Sequence, residues 1–291
     1  MFSSGSTQVR RLNPSTEDPS MTRQFFPIAL LLASACSSAR PAGPQELVFT
    51  AKDFAFTGPD SVAPGLTAIR LVNHGTQPHH LILGQLDDGK TLQDLQAFMQ
   101  QNPTGEPPFI SWRGAANAIE PGDSTGSTTN LVAGHYVMLC FIPDPADNTP
   151  HVNKGMVKEL VVAGAPRVAA TPTAEGEIQL TEFAFAVPAV TVGTHTFHIV
   201  NAGTKTHEVQ LIRLNDGVST EQYLAALAPG AKGPPPGAFK GGPGALKPGL
   251  DDYWTVTFTP GHYLMVCFVP DTDGVPHLMK GMIRELTISA S

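Results

Sequence analysis

The chain has 291 residues, a length that is enough for about two domains at the usual ~100–200 residues each. Hydrophobic residues make up 41% of the chain, a fraction that excludes a disordered chain. Its formal net charge of −7 argues against nucleic acid as a partner, because nucleic-acid-binding proteins need a basic surface. A disulfide framework needs pairs of cysteines within a domain, and Cys36, Cys140 and Cys267 fall in three different parts of the chain, so no such framework is expected.

The N-terminal segment is typical of an export signal. From Met21, a short basic start at Arg23 is followed by an apolar run and then by small residues up to Cys36. Residues 1–35 are therefore predicted to be a leader, and residues 36–45 a flexible tether. No later segment is long and apolar enough to suggest a membrane-spanning helix.

The leader resembles a bacterial lipoprotein signal with Cys36 as the acylated residue. This resemblance implies a periplasmic or extracytoplasmic lipoprotein that is anchored to the membrane through Cys36. However, Ala33 stands where such signals usually have Leu, and Ala33 together with Ala35 also fits ordinary signal cleavage. A soluble periplasmic protein therefore stays open as the alternative.

A sequence pattern that occurs twice indicates the domain organisation. The motif Phe-Ala-Phe at residues 54–56 recurs at residues 183–185, and the run around Cys140 recurs around Cys267. Self-similarity over most of the chain indicates a duplicated domain, and the small, Pro-containing stretch between the copies is typical of a linker. The predicted domains are residues 46–163 and 177–291, joined by a linker at 164–176.

Each repeat is predicted to consist mostly of β-strands, because short apolar or β-branched runs alternate with turn residues. Short strands at this spacing predict an all-β fold of two tandem antiparallel Greek-key β-sandwiches. In the first repeat the runs are 47–56, 66–73, 79–84, 127–132, 135–141 and 156–162. In the second they are 177–185, 194–201, 207–214, 253–259, 262–268 and 282–289.

One short helix is predicted in each repeat. Thr91 and Asp94 have the spacing of a capping box ahead of an apolar stripe in residues 91–101. Ser219 and Gln222 have the same spacing at the start of the second helix. These helices are expected to cover one side of each sandwich.

The end of each repeat contains one thiol, one imidazole and one thioether within a short stretch. Soft and borderline ligands of these kinds suit copper. The same residue types recur in the same order in both repeats. The candidate ligands are Cys140, His151 and Met156 in the first repeat and Cys267, His277 and Met282 in the second.

A second imidazole for each site is expected from another part of the sheet, and His79 and His207 are the candidates. Each follows an asparagine, Asn73 or Asn201, at the same separation. This alignment selects His79 over its neighbour His80. Two His, one Cys and a weak axial Met form the trigonal site of blue copper.

At these residues the chain resembles the cupredoxins, the family of blue, type-1 copper proteins. The run Gly-x-Tyr-x-x-x-Cys, which ends at Cys140 and again at Cys267, looks like the last core strand of plastocyanin. The spacing His-x-x-x-Gly-Met, which ends at Met156 and Met282, also matches that family. The longer Pro- and Asp-rich loop between Cys and His is similar to the type-1 site of copper nitrite reductase.

The resemblance implies a type-1 copper site in each repeat, with up to two copper ions per chain. It assigns the thiolate and the two imidazoles to the trigonal plane and the Met sulfur to a weak axial position. It also implies one-electron transfer with redox partner proteins at the outside of the cytoplasmic membrane.

Other classes of function stay open. A copper chaperone or store would bind Cu(I) weakly and exchangeably, and a metal-free interaction module of the same fold would bind no copper. An enzyme would need a second copper centre, for which His80, His135 and His262 are the candidates. The copper enzymes of the family have a histidine beside the cysteine, and this chain has neither that nor His-x-His pairs. The chain is therefore predicted not to be an enzyme.

Overall fold

The fold is described from a computed structural model over residues 42–102, 105–228 and 230–290. These described residues form one compact unit. Within the described residues, no helix is both long enough and apolar enough to span a membrane. The predicted leader and its lipid attachment at Cys36 lie outside the described residues, so both stay predictions.

The two halves of this unit repeat the same kinds of elements in the same order. The first half contains β1 (Gln45–Lys52), β2 (Ala55–Thr57), β3 (Ser61–Val62), β4 (Gly65–Asn73), β5 (His79–Leu86), α1 (Leu92–Gln101), β6 (Ile110–Ile119), β7 (Ser124–Leu131), β8 (Gly134–Leu139) and β9 (Val157–Val162). The second half contains β10 (Gly176–Thr181), β11 (Ala184–Ala186), β12 (Gly193–Asn201), β13 (Gln210–Leu214), α2 (Thr220–Ala226), β14 (Gly237–Phe239), β15 (Asp251–Phe258), β16 (Gly261–Val266) and β17 (Ile283–Ile288).

The strands of the described residues form three sheets, one of which belongs to both repeats. This shared sheet has eight strands in the order β11-β10-β12-β15-β7-β4-β1-β2, and the repeats meet where β15 pairs antiparallel with β7. The first repeat adds the sheet β3-β9-β8-β5-β6, and the second adds β14-β13-β16-β17. The predicted all-β class is confirmed. The Greek-key connectivity and the domain boundaries at 46–163 and 177–291 stay predictions.

The shared sheet packs against each of the smaller sheets. Phe49 and Leu71 of the shared sheet belong to the same buried cluster as Leu83 and Met138 of the five-stranded sheet. Buried and exposed side chains alternate along β1, because successive residues of a strand point to opposite faces. The equivalent cluster in the second repeat includes Ile199, Leu211, Trp254 and Met265.

Both predicted helices are confirmed together with their capping boxes. The Thr91 hydroxyl accepts from the Asp94 N–H, and the Asp94 carboxylate accepts from the Thr91 N–H. Ser219 and Gln222 make the same reciprocal pair at the start of α2. Each helix covers the outer face of its smaller sheet, where Leu95 and Tyr223 are buried.

The sequence does not predict β6, although this strand is among the longest. Gly114 and Ala115 within it have positive φ angles of 78° and 77°, which break the two-residue alternation that identifies a strand. A Cβ on Gly114 would clash with the buried carboxyl group of Asp252, so glycine is favoured at this position.

Most predicted strands agree with the observed ones to within three residues at each end, and two predicted strands differ in kind. The runs 47–56 and 177–185 are hairpins, because each turns back on itself and its second part pairs antiparallel with the first. The apolar alternation continues through both turns, which is why the sequence shows no break. In the run 207–214, the strand begins only at Gln210.

Polar side chains connect the two repeats next to the shared sheet. Gln210 of the second repeat accepts from the Ala118 N–H at 2.8 Å and donates to the Ala118 carbonyl at 3.1 Å. Asn117 of the first repeat donates to the Val209 carbonyl at 3.2 Å. These bonds are buried and reciprocal, so the repeats form one joined structure.

A buried carboxyl group also joins the repeats. The Ser127 hydroxyl lies 2.9 Å from the Ala115 carbonyl oxygen and 2.5 Å from a carboxyl oxygen of Asp252, which is fully buried. One hydroxyl has one hydrogen, so both contacts are satisfied when a protonated Asp252 donates to Ser127 and Ser127 donates to Ala115. Burial raises the pKa of Asp252 to about 8, in agreement with a neutral carboxyl group.

We predict that this carboxyl group makes the metal-free protein less stable as the pH rises. Its folded pKa lies above the unfolded value of about 3.9, so its stabilising contribution is complete below that value and is lost as pH rises toward 8. The free energy of unfolding should fall by up to about 1.4 kcal/mol per pH unit within that window. Urea unfolding of the native protein and Asp252→Asn at pH 5 and pH 8 measures this slope.

Asp252→Asn should flatten the dependence, because the amide resembles the protonated acid. Asp251→Asn, which removes an exposed charge one residue away, is the matched control and should keep the slope of the native protein. Equal slopes for the native protein and Asp252→Asn would show that Asp252 is not the titrating group.

Candidate metal centres

The structure brings one thiol and two imidazoles together in each repeat. In the first repeat, the Nδ1 atoms of His79 and His151 are 3.2 Å apart. The sulfur of Cys140 lies 3.4 Å from the Nδ1 of His151 and 3.9 Å from that of His79. All three side chains are buried.

The second repeat reproduces this group. The Nδ1 atoms of His207 and His277 are 3.1 Å apart, and the sulfur of Cys267 lies 3.5 Å from the Nδ1 of His277. The three ligand atoms of each group lie within 4.8 Å of one another. Within the described residues, these are the two groups of three or more His, Cys, Asp or Glu that could hold a metal ion.

The spacing of these atoms fits a metal ion at the centre of each triangle. Three ligands at about 2.1 Å from an ion in their plane would lie about 3.6 Å from one another. Five of the six separations run from 3.1 to 3.9 Å, and the sixth, between the Cys267 sulfur and the Nδ1 of His207, is within 4.8 Å. In both groups the converging nitrogen is Nδ1, which leaves each Nε2 free to bond to the surrounding protein.

A short loop positions the Cys and the second His by backbone hydrogen bonds. Cys140 directly follows β8, and its carbonyl accepts from the Val152 N–H at 2.7 Å. A 3₁₀ turn, His151–Lys154, ends at Gly155, whose φ of 96° is the left-handed conformation that favours glycine. In the second repeat, the turn His277–Lys280 is bonded to Cys267 in the same way.

The predicted methionines lie at the end of the same turns and are fully buried. The Met156 N–H donates to the His151 carbonyl at 3.0 Å, and the Met156 carbonyl accepts from the Cys140 N–H at 3.3 Å. Met282 makes the equivalent bonds to His277 and Cys267. The backbone therefore holds each Met next to the candidate Cys and His, while its role as a ligand stays a proposal.

A buried asparagine and a glycine shape the loop that leads to the first His. Asn73 accepts from the Gly75 N–H at 2.9 Å and donates to the Gln77 carbonyl at 2.8 Å. A Cβ on Gly75 would lie 2.6 Å from the Nε2 of His79, so a larger residue would push the imidazole away. Asn201 and Gly203 repeat this arrangement around His207.

The outer nitrogens of the first centre have strong partners. The Nε2 of His79 lies 2.7 Å from the carboxylate of Asp53, and the Nε2 of His151 lies 2.9 Å from the side-chain oxygen of Gln77. An imidazole that donates from Nε2 has its lone pair on Nδ1, the atom that faces the centre. Asp53 and Gln77 therefore favour the tautomer that can bind a metal.

The second centre has weaker outer partners. The carboxylate of Glu182 is 3.6 Å from the Nε2 of His207, and that nitrogen has no hydrogen-bond partner among the described residues. Lys205 takes the place that Gln77 has in the first repeat and pairs with Asp271 at 2.7 Å. A cation therefore lies beside the second centre where the first has a neutral amide.

An aromatic ring covers the second His of each centre. Phe54 packs edge-on against His151 with ring centres 4.9 Å apart, and the amine of Lys154 lies 4.9 Å from the same ring. Phe183 and Lys280 repeat this arrangement on His277, at 5.0 and 5.5 Å. The two rings restrict the access of water to the imidazoles.

Burial controls the protonation of both groups. It lowers the pKa of all four imidazoles, to about 4 for His277, so they are neutral near pH 7 and able to bind a cation. It raises the pKa of the Cys140 thiol to about 12 and that of Cys267 well above its usual value. A bound metal must therefore displace the thiol proton.

The other candidate histidines do not join these groups. The Nε2 of His80 accepts from the Phe141 N–H at 2.6 Å, and Glu208 takes the equivalent position in the second repeat, accepting from the Phe268 N–H at 3.0 Å. His135 and His262 are exposed at the starts of β8 and β16. Within the described residues, His80, His135 and His262 form no common metal-binding group.

Sequence reasoning missed the residues that surround the ligands. Asp53 and Phe54 lie in the first hairpin turn, and Glu182 and Phe183 lie in the second. The repeated Phe-Ala-Phe motif contains the two phenylalanines, and an acidic residue precedes it both times. The sequence therefore contained a repeated pattern at these positions. It did not indicate that these residues face the ligands, because they lie in a turn within an apparent strand.

No known protein-family model matches this chain, and no curated protein is similar to it in sequence. Solved structures give matches to auracyanin B, with 21% identity over 42% of this chain and 94% of that chain, at a TM-score of 0.29. The blue copper oxidase of Nitrosomonas europaea has 16% identity over 84% of this chain and 86% of its own, at 0.23. A copper-containing nitrite reductase of Thermus scotoductus has 13% identity over 85% and 62%, at 0.24.

These neighbours have the cupredoxin fold, in agreement with the resemblance seen in the sequence. Identities and TM-scores this low assign no particular activity to this chain. What the two centres can do therefore has to follow from their own residues.

The prediction that the chain is not an enzyme is wrong. Multicopper oxidases and a nitrite reductase, which are enzymes, are among the structures that match 84–86% of the chain. The missing His-x-His pairs exclude only one way to build a second copper centre. They carry no information about a substrate site formed by other residues.

We predict that Asn73→Ala weakens metal binding at the first centre alone. The substitution leaves the backbone groups of Gly75 and Gln77 without their partner, so the loop holds His79 less firmly. Losing such an outer-shell contact typically lowers metal affinity about 10–100-fold. Competition with a chelator for Cu(II), in Cys267→Ser protein that retains only the first centre, measures this change.

The matched control is Asn201→Ala in the same background. It removes the equivalent bonds from the loop of the second centre and should leave Cu(II) affinity at the first centre unchanged. Equal losses from Asn73→Ala and Asn201→Ala would mean that the asparagines support the whole fold and not the individual centres.

Proposed function

We propose that the protein binds one type-1 copper ion in each repeat and transfers single electrons. The observation that carries this proposal is the convergence, twice in one chain, of two imidazole Nδ1 atoms and one thiol sulfur in a buried position. The proposed ligands are His79, Cys140, His151 and Met156 in the first centre and His207, Cys267, His277 and Met282 in the second.

The donor set supports copper over other common metals. A thiolate with two imidazoles and a weak thioether is the set of blue copper, whereas a structural zinc site uses four strong ligands in a tetrahedron. Magnesium and calcium need oxygen ligands, and none of the converging atoms is an oxygen. The carboxylates of Asp53 and Glu182 lie behind the imidazoles, at Nε2, and not in the centres.

Copper would supply the exchange of one electron between its two oxidation states. The chain would supply a site that changes little during this exchange, because backbone hydrogen bonds hold the turns that carry Cys140 and Cys267. Phe54 and Phe183 would restrict water, and Asp53 and Gln77 would keep Nδ1 available in the first centre. A fixed and dry site favours transfer without rearrangement of the ligands.

The proposed electron donor and acceptor are other redox proteins. We place the protein outside the cytoplasmic membrane, in the periplasm or an equivalent compartment, on the basis of its predicted leader. A lipid on Cys36 would anchor it to the membrane. The net charge of −7 supports a partner other than nucleic acid.

The test is the visible and EPR spectrum of the protein without its predicted leader after Cu(II) is added, with copper counted per chain. We expect two copper ions and an intense thiolate-to-copper band. Cys140→Ser and Cys267→Ser should each remove about half of this band, because independent sites behave additively.

Other results would point to the remaining classes of function. A colourless protein that still binds Cu(I) would indicate copper storage or delivery. A protein that binds no copper under any of these conditions would contradict the proposal and indicate a metal-free interaction module.

We further predict that the second centre has the higher reduction potential. Lys205 adds positive charge beside His277, and positive charge favours the reduced ion, which carries one charge less. Lys205→Gln should lower this potential by on the order of tens of millivolts, since a nearby unit charge contributes on the order of 1–2 kcal/mol at an effective dielectric constant of 20 before screening. Redox titration of Cys140→Ser protein, which retains only the second centre, measures the shift.

The reciprocal substitution is the control. Gln77→Lys, made in Cys267→Ser protein, should raise the potential of the first centre. Potentials that respond to neither substitution would contradict the predicted effect of charge at these two positions.

A further inference from the structure

A cavity of about 1170 Å³ lies between the two repeats. Residues of both repeats line it, and none of the proposed metal ligands is among them. Ligand sites in proteins usually have volumes of about 300–1,000 Å³ and are often found where two domains meet. The cavity is therefore large enough to hold a small organic molecule.

Aromatic side chains from both repeats line this cavity. Trp112 and Phe141 come from the first repeat, and Phe239 and Phe268 come from the second. The rings of Trp112 and Phe141 pack edge to face, with their centres 6.1 Å apart. Aromatic rings bind apolar groups, and their faces also attract cations because the π-electrons make those faces negative.

Glu208 lines the cavity as a buried acid, and no lysine or arginine of the described residues forms an ion pair with it. The residue is only 7% exposed. One of its carboxylate oxygens accepts from the Phe268 N–H at 3.0 Å, which is a neutral donor. Lys205, the nearest lysine before it in the sequence, pairs with Asp271 instead. A buried charge without a partner is costly, and burial raises the pKa of Glu208 to about 7.

The other groups that line the cavity do not balance this charge. Among the described residues, the lining contains no lysine and no arginine. His80 is a neutral imidazole there, because its Nε2 accepts from the Phe141 N–H at 2.6 Å. Glu106, the second acid of the lining, already pairs with Lys247 at 2.8 Å. A positive charge for Glu208 therefore has to come from a bound molecule.

We propose that this cavity binds an organic cation, whose ammonium group lies against the carboxylate of Glu208 and whose apolar body lies among the aromatic rings. A metal ion fits less well, because the described residues of the lining include no group of three or more His, Cys, Asp or Glu that could hold one. An uncharged molecule would leave Glu208 unbalanced. The inference goes beyond the proposed function and does not depend on it, because the cavity and the two centres share no residue.

Two probes of the same shape test the proposal in the metal-free protein. Benzyltrimethylammonium carries a permanent positive charge, and neopentylbenzene is its uncharged counterpart with carbon in place of nitrogen. An NMR titration follows the indole N–H signals of the two tryptophans, Trp112 and Trp254. Trp112 lines the cavity, whereas Trp254 is buried in the core of the second repeat and serves as the internal control.

We expect benzyltrimethylammonium to shift the Trp112 signal, with saturation at one probe per chain, and to leave the Trp254 signal unchanged. Neopentylbenzene should bind about tenfold more weakly, since it lacks the charge that the carboxylate and the rings attract. Glu208→Gln keeps an acceptor for the Phe268 N–H but removes the charge, so it should lower the affinity for the cation about tenfold and change the affinity for neopentylbenzene little. Glu106→Gln is the matched control and should change the affinity for the cation less than about twofold, because Lys247 already balances that charge.

Three results would overturn the proposal. A Trp112 signal that does not respond to benzyltrimethylammonium would mean that the cavity does not bind the cation. Equal affinities of the native protein for the two probes would mean that the cavity selects an apolar body and not a charge. Equal losses from Glu208→Gln and Glu106→Gln would assign the binding to the general negative charge of the protein. None of these results bears on the proposed function, which the spectrum of the copper-loaded protein tests separately.

Discussion

Exclusion of water from one thiol and two imidazoles is the constraint on which both centres depend. Buried donor groups of this kind need partners, and the surrounding structure supplies them only on the outer side, through Asp53 and Gln77 in the first repeat. On the inner side, three atoms face one another without a charge to satisfy them, and burial keeps the thiol protonated. The backbone bonds of the turns, the asparagine loops and the phenylalanine rings all serve to maintain this arrangement, which a soft cation would satisfy.

The two repeats keep the same inner atoms and differ in what lies behind them. Lys205 of the second repeat stands where the first repeat has Gln77. The short contact between Asp53 and His79 corresponds to the longer contact between Glu182 and His207. His80 becomes Glu208, which accepts a bond from the same backbone position. Duplication therefore left the converging groups intact while their electrostatic surroundings diverged. One fold can in this way present the same converging atoms twice, in different electrostatic surroundings.

The sequence predicts much of the fold, and the repeated pattern locates the converging residues. The capping boxes at Thr91 and Ser219 and most strands follow from local chemistry, and His79 is distinguished from His80 by its distance from Asn73. The sequence does not predict strand β6, because the positive φ angles of Gly114 and Ala115 interrupt the alternation of its side chains. The sequence also does not predict the partners of the ligands, Asp53, Gln77 and Phe54. Their roles depend on tertiary contacts between distant loops, and local periodicity contains no information about such contacts. The joint between the repeats, including Asp252, depends on pairing across the duplication and has no signal within either copy.

The pairing of β15 with β7 makes one sheet of eight strands whose outer edges are β11 and β2. This pairing covers one edge strand of each repeat, β7 in the first and β15 in the second. If the repeats were separated, β7 and β15 would become open edges, and open edges readily pair with other chains. The duplicated halves have thus become mutually dependent: each shields the other from self-association, so neither is free to be lost or exchanged as a module.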